Sequence, residues 1–465
     1  MIDLLNMQRW SGLIAALLLA GCAVGPTYER PAVESPSDWV ADKADARWPA
    51  IDWWTAFRDP VLDRLVIEAL ANNHDLKAAV QRIAQARALA QVAGAAHYPS
   101  LSASAQASRQ NNSNNNLNGK FVTPNSYQAG LTASYVLDLF GLNRDQAEAA
   151  AAKLKGSEFE RQTVELGVAA VTASSYFKFA ALDARLAVAK ETLAKARHAA
   201  ELVRTRQQAG MATALQVAQQ QAEVASLQAA IPTLQTQRRQ VLNALAMLAG
   251  HLPDGFDVKP TAIAQLGLPQ APAGLPSALL ERRPDILRAE AALAGANADI
   301  RAATAALFPR INLTAQGGYA SAALRQLFDP GNTFYSLAAG LTAPLFEGGK
   351  LRGELAYTEA RYGELVQNYR QTVLAAFTDV ENALTAQRNT DDTLVAQRDA
   401  VTQATLAYSL AEFQYEQGMV DYLAVLTAQR SLLAADDAEA QARFARLDAA
   451  VSVYQALGGG WNIPQ

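Results

Sequence analysis

Cysteine, histidine, methionine and aromatic residues are all scarce in this chain, and each shortage removes a class of chemistry. Among 465 residues there is one cysteine, Cys22, so no disulfide can form within the chain. The four histidines, His74, His97, His198 and His251, are scattered, and none has metal-ligand spacing such as HExxH. Five methionines, spread from Met1 to Met419, make no soft copper-binding cluster. No GxSxG elbow, Walker A loop or dinucleotide GxGxxG occurs, so enzyme readings lack a starting residue. A formal charge of -4 and a pI near 5.7 leave no basic face for phosphates, which argues against a nucleic-acid partner. Aromatics make up 7% of the chain while apolar residues make up 50%, so general disorder is excluded. Ala, Gln and Leu dominate long stretches, a mix that suits closely approaching helices rather than a thick globular core.

Long apolar runs are missing too, except at the start. Arg9 precedes an apolar run from Leu13 to Ala20, too short to span a bilayer, and Leu19-Ala20-Gly21-Cys22 follows. The form is that of a cleaved signal peptide over 1–21, and the tetrapeptide resembles the bacterial lipobox, which implies a covalent lipid on Cys22 and no other cofactor. An ordinary secretory signal with an incidental Cys is the alternative. Ala23, rather than Asp, after the Cys points to the outer membrane.

Internal similarity organises the rest. Asn73-His74-Asp75-Leu76 opens an Ala-rich helix ending at Tyr98-Pro99, and about 210 positions later Arg283-Pro284-Asp285-Ile286 opens another ending at Phe308-Pro309. Gln208-Ala209-Gly210-Met211 with Leu215, Val217 and Gln221 is echoed by Glu416-Gln417-Gly418-Met419 with Leu423, Val425 and Gln429. The chain is therefore two versions of one unit, 61–252 and 284–460. Ahead of them lies a Pro- and Trp-rich segment, 22–60, between them a Pro-rich linker, 253–283, and behind them a short tail, 461–465. Segment and linker read as irregular belts laid across the helices.

Each half reads helix, strand, strand, very long helix, tight turn, helix. In the first hairpin, about 100–138, Leu101, Ala103, Ala105 and Ala107 alternate with Ser102, Ser104, Gln106 and Ser108. In the second, about 310–345, Tyr335, Leu337, Ala339, Leu341 and Leu345 share one face. Segments of about ten alternating residues are the form of membrane-spanning strands, although four amphipathic strands of a soluble sheet would alternate in the same way. Four strands cannot close, and an open edge in lipid is not viable, so a membrane barrel would have to be shared between chains. From Leu142 to about Gln208 and from Leu351 to about Gln417 no proline interrupts, and Leu182, Leu186, Ala189, Leu193, Ala196, Ala200 and Val203 step at coiled-coil spacing. Each run predicts roughly 100 Å of helix at 1.5 Å per residue. Gly210 and Gly418 end them, and partner helices return over Ala214–Ala249 and Tyr422–Leu457. A fibrous coiled-coil spacer shares this periodicity but would not carry paired hairpins.

Asp52-Trp53-Trp54-Thr55-Ala56-Phe57, Asp59-Pro60, Arg282-Arg283-Pro284-Asp285-Ile286, Leu345-Phe346-Glu347-Gly348-Gly349 and Gly418 through Arg430, with the lipobox, resemble the motifs of the TolC-like outer membrane factors. The match is to the lipidated branch that serves resistance-nodulation-division (RND) pumps. The resemblance covers essentially the whole mature chain. It implies a mainly α protein with membrane β-structure: a homotrimer with a twelve-stranded barrel in outer membrane lipid, an α-helical barrel across the periplasm, a periplasmic adaptor and an inner-membrane RND pump. It also implies that the helix turns close the periplasmic mouth. Leu423 then falls on a leucine ring and Thr427 where related ducts often have Asp, with Gln216 taken as its match in the first repeat. Tyr415 falls on a position whose hydrogen bonds help keep the mouth shut, and packing between helices accounts for it equally. Asp421 either supplies charge to the mouth or caps its helix. A passive efflux conduit is the leading reading. A type I protein secretion duct and a structural envelope lipoprotein are the alternatives.

Overall fold

A computed structural model describes residues 24–40, 48–109, 125–269 and 273–460. Cys22, the signal peptide, the loop between the first two strands and the tail 461–465 lie outside them. In the first repeat α1 (Pro60–Asn72) and α2 (His74–Gly94) lead to β1 (Ser100–Arg109), β2 (Asn125–Leu137), α3 (Leu142–Gln208) and α4 (Ala214–Leu248). In the second, α5 (Pro276–Arg282) and α6 (Pro284–Ala305) lead to β3 (Arg310–Ser321), β4 (Thr333–Thr342), α7 (Lys350–Glu416) and α8 (Tyr422–Ala456). The two halves repeat the element order, and their long helices match in length: α3 and α7 each hold 67 residues, and α4 and α8 each hold 35. Among the described residues no helix is long and apolar enough to cross a membrane.

Two compact units emerge. One contains 24–31, Ile83–Ser157 and Ala289–Tyr369. Its sheet runs in the order β1-β2-β3-β4, antiparallel throughout. Registers such as Leu101↔Ala133, Ala133↔Ala315 and Ala315↔Leu337 gather the apolar residues on one face. Ser102↔Thr132, Thr132↔Gln316 and Gln316↔Ser336 gather the polar ones on the other. The apolar face is bare, with Leu101, Leu337 and Leu341 each at least 70% exposed. β4 stops at Thr342, short of the expected Leu345, because β3 begins at Arg310 and offers no ladder partner beyond it. At the start of α3, Asp145 is fully buried against Arg301, whose Nε donates at 3.1 Å while its Nη1 donates to Asn297 at 2.7 Å.

The other unit contains, among the described residues, those of 32–82, Glu158–Arg288 and 370–460. Its core takes in the end of the Pro- and Trp-rich segment 22–60. Trp53–Phe57 forms a 3-10 turn whose aromatic rings enter the core: Trp53 stacks on Tyr454 at 5.2 Å and Phe57 lies 4.9 Å from Phe177. The linker 253–283 likewise ends in a helix, α5, because Pro276 at the first helical position is preset for it and Leu279 is fully buried. Asp59 caps α1 by accepting from the Val61 amide at 2.9 Å and also takes the Tyr176 hydroxyl and the Thr261 hydroxyl. Leu182, Leu186, Leu193, Ala196 and Val203 are buried as their spacing predicts.

Candidate functional site at the helix turns

The turns joining α3 to α4 and α7 to α8 are built alike. Gly210 has φ +74° and Gly418 φ +73°, a left-handed conformation that favours glycine. The Gly210 amide donates to the Gln207 carbonyl at 2.9 Å and the Met211 amide to Arg206 at 2.8 Å; the second turn repeats this with Gly418 to Tyr415 and Met419 to Gln414. Paired bonds of this kind end a helix while satisfying its last carbonyls. The return helices then restart on caps 208 positions apart, Thr213 and Asp421. Asp421 accepts from the Ala424 amide at 3.1 Å, so it serves as a cap.

Gln216 occupies a capping box: its amide donates to Thr213 Oγ1 at 3.2 Å and its Oε1 accepts from the Thr213 amide at 2.9 Å. The two caps fix the register of the repeats, and this corrects one correspondence. The counterpart of Gln216 is Ala424, and that of Thr427 is Gln219. Thr427 donates its hydroxyl to the Leu423 carbonyl at 2.8 Å, and Leu423 itself is half exposed.

Beside the turns, polar links tie the first helical hairpin, α3 with α4, to the second, α7 with α8. Tyr422, buried at the first position of α8, donates its hydroxyl to Gln220 Oε1 at 2.5 Å, and Gln220 Nε2 donates to the Ala196 carbonyl at 2.8 Å. Arg430 holds the buried Glu223 carboxylate through Nε at 2.6 Å and Nη2 at 2.5 Å. The Tyr415 ring meets Tyr422 edge-on at 5.2 Å, and the Arg206 guanidinium lies 4.9 Å over its face. Burial, then the neighbouring Tyr415, Tyr408 and Glu223, pushes the Tyr422 hydroxyl well above its ordinary range, so it stays a donor. Further up, Arg185 holds Asp437 at 2.6 Å, and Ser174 donates to Asp448. The structure thus brings Tyr415 into the network, while Asp421 and Gln216 act as caps and Leu423 and Thr427 stand outside it. Gln220, Glu223 and Arg206 were not expected. A signal for Gln220 existed: it interrupts the apolar stripe of Val217, Val224, Leu227 and Ile231 at a position where the helix buries its face.

Residues 65–251 and 275–459 match the family model described as outer membrane efflux protein. The chain belongs to that family. It is 41% identical over 467 residues to the pyoverdine export outer membrane protein OpmQ of Pseudomonas aeruginosa, covering 98% of each chain. To the toluene efflux pump outer membrane protein TtgI of Pseudomonas putida it is 34% identical, over 97% of this chain and 98% of the other. Its fold matches that of the outer-membrane channel OprN with a TM-score of 0.89 at 30% identity, over 95% of this chain and 100% of that one. This member of the family is accordingly the outer-membrane channel component of an efflux system, with long helices and a small sheet in the arrangement of such channels.

Proposed function

We propose that three copies share one twelve-stranded barrel in the outer membrane and one helical conduit below it, anchored by lipid on Cys22. The conduit does no chemistry on its cargo. One observation carries this reading: the sheet has four strands, an uncovered apolar face and an unpaired edge on each side, β1 and β4. Eight strands from two copies would be filled by side chains, whereas twelve begin to leave a pore. The helix turns form the closed mouth. Leu423 contributes the apolar constriction, and the Tyr422–Gln220 and Arg430–Glu223 links hold the second hairpin against the first until a periplasmic adaptor and an inner-membrane RND pump draw them apart. Energy comes from that pump.

The cargo is a small solute delivered by the pump. Relatives of nearly equal coverage are named for pyoverdine export and for solvent, toluene and cation efflux, which supports a duct that accepts what its partner supplies. Recording in planar bilayers and native mass measurement test the proposal. Small, flickering conductances and a trimer are expected. A folded monomer in detergent, or a trimer that never conducts, would overturn it.

A further inference from the structure

We propose that the open edges of the sheet meet across copies in a single register, with Leu341 of one copy opposite Ala105 of the next. The inference rests on the shared barrel proposed above and adds the seam by which it closes.

The repeat supplies the register. A shift of 208 carries β2 onto β4: it takes Leu142, the first residue of α3, to Lys350, the first of α7, and Gly141 at φ +84° to Gly349 at φ +89°. A shift of 210 carries β1 onto β3, Ser100 to Arg310. The two shifts together reproduce the hairpin registers, since Leu101↔Ala133 in the first becomes Ile311↔Leu341 in the second. Within the chain, the seam between repeats is β2 against β3, with Ala133↔Ala315 and Leu137↔Ile311. Moving β2 forward by one shift and β3 back by the other gives the seam between copies: Leu341 opposite Ala105, and Leu345 opposite Leu101. Both pairs keep the apolar residues on one face, whereas a slip of one residue would turn all of β1 over. Slips of two residues, to Ala103 or Ala107, also keep the faces, so the repeat rather than the pattern selects among them.

Exposure points the same way from a separate direction. Every residue of β1 is exposed, and beyond the end of β4 Leu345 and Phe346 are 95% and 89% exposed. Their isolation has a simple cause, because Leu137, the counterpart of Leu345, is held in the β2–β3 ladder by Ile311. A second copy's β1 in the proposed register supplies the missing partner and extends β4 to Leu345.

The seam is tighter at one end. Inside the chain Gly130 faces Gly318, and a Cβ at Gly318 would lie 2.2 Å from the Ala129 carbonyl oxygen. The counterparts between copies are Ala338 and Ser108, each of which carries a Cβ, so the strands cannot approach as closely there. Closure is firmest from Leu341 to Leu345.

Cysteine pairs test this in the full-length lipoprotein. Directly opposite Cα atoms lie about 4.5–5.5 Å apart, and a two-residue slip moves them beyond disulfide reach. After oxidation in membranes, Ala105→Cys with Leu341→Cys should give covalent dimers and trimers on a non-reducing denaturing gel, several-fold above either single variant. Ala103→Cys or Ala107→Cys paired with Leu341→Cys should stay near that background. Preferential cross-linking of a shifted pair, or an intact native trimer with no 105–341 product, overturns the register while leaving the shared barrel standing. A monomeric native mass with no product from any pair overturns both.

Discussion

Asn73 and Arg283 make the same contact in the two halves of the chain. Asn73 Nδ2 donates to the Leu248 carbonyl at 3.2 Å, and Arg283 Nη1 donates to the Ala456 carbonyl at 3.1 Å. The two carbonyls are 208 positions apart and end the two return helices. One half therefore ties its last helix to its first with an amide, and the other uses a guanidinium that also grips Asp285 at 2.6 Å and Asp379 at 3.1 Å. Burial opposes the Arg283 charge, but these carboxylates more than offset it and hold the guanidinium above its ordinary range.

Arg283→Ala should accordingly cost more than Asn73→Ala. Asn73 also caps α2, accepting from the Asp75 amide at 2.9 Å, and removing such a cap costs about 1 kcal/mol. Removing Arg283 leaves two carboxylates and two carbonyls, those of Ala376 and Ala456, without this donor, at about 2 kcal/mol. Thermal unfolding in detergent reads the order of the two. Equal midpoints would show that the guanidinium adds nothing to the shared contact.

Alkali should weaken the fold through Tyr176. Burial, and then its hydrogen bond to Asp59, pushes the hydroxyl from its ordinary 10 up to about 12. The unfolded chain releases this proton from pH 10, while the folded chain holds it to about pH 12. The group's contribution is complete below pH 10 and is lost between pH 10 and 12. Tyr176→Phe should flatten that part of the stability curve and lower stability at neutral pH by about 1–3 kcal/mol, because Asp59 loses a buried donor. An unaltered slope in the variant would contradict the assignment.

Leu423→Ser should raise single-channel conductance and antibiotic entry, since a half-exposed leucine at the start of α8 is proposed to narrow the mouth. If both readouts match the parent, the constriction lies elsewhere.

Glu223→Arg alone should loosen the mouth by facing Arg430 with a like charge. Restoring opposite charges by Glu223→Arg with Arg430→Glu should return conductance toward the closed level. Breaking the pair at about 1.4 kcal/mol corresponds to roughly tenfold in the open-to-closed ratio. The pair is worth less than a fully buried one because the Arg430 side chain is 59% exposed. A double variant as leaky as the single would mean that the charge pair does not hold the hairpins.

Periodicity carried most of the architecture. Helices of 67 residues with apolar spacing of three and four, and strands alternating over ten, leave little room for another secondary structure, and two copies of each checked the other. Local pattern said less about the aromatics: Trp53 and Phe57 sit among prolines in sequence, yet their area is buried against Phe177 and Tyr454. Tertiary packing, invisible locally, decided that. At the turns, Gly210, Gly418 and the cap Asp421 were readable because backbone geometry demands particular residue types. The Tyr422–Gln220 and Arg430–Glu223 links were not, since partners some 200 positions apart announce themselves only when the hairpins pack.

The polar links also break the symmetry of the repeat. Tyr422, Gln220, Glu223 and Arg430 answer, 208 positions away, to Ala214, Ala428, Ser431 and Ala222. None of these can reproduce either bond. In the proposed ring of three chains, the junction inside each chain carries these two links, and the junction between chains cannot form the same ones. If that ring forms, opening it between chains leaves both links intact, so each chain's two helical hairpins would move together.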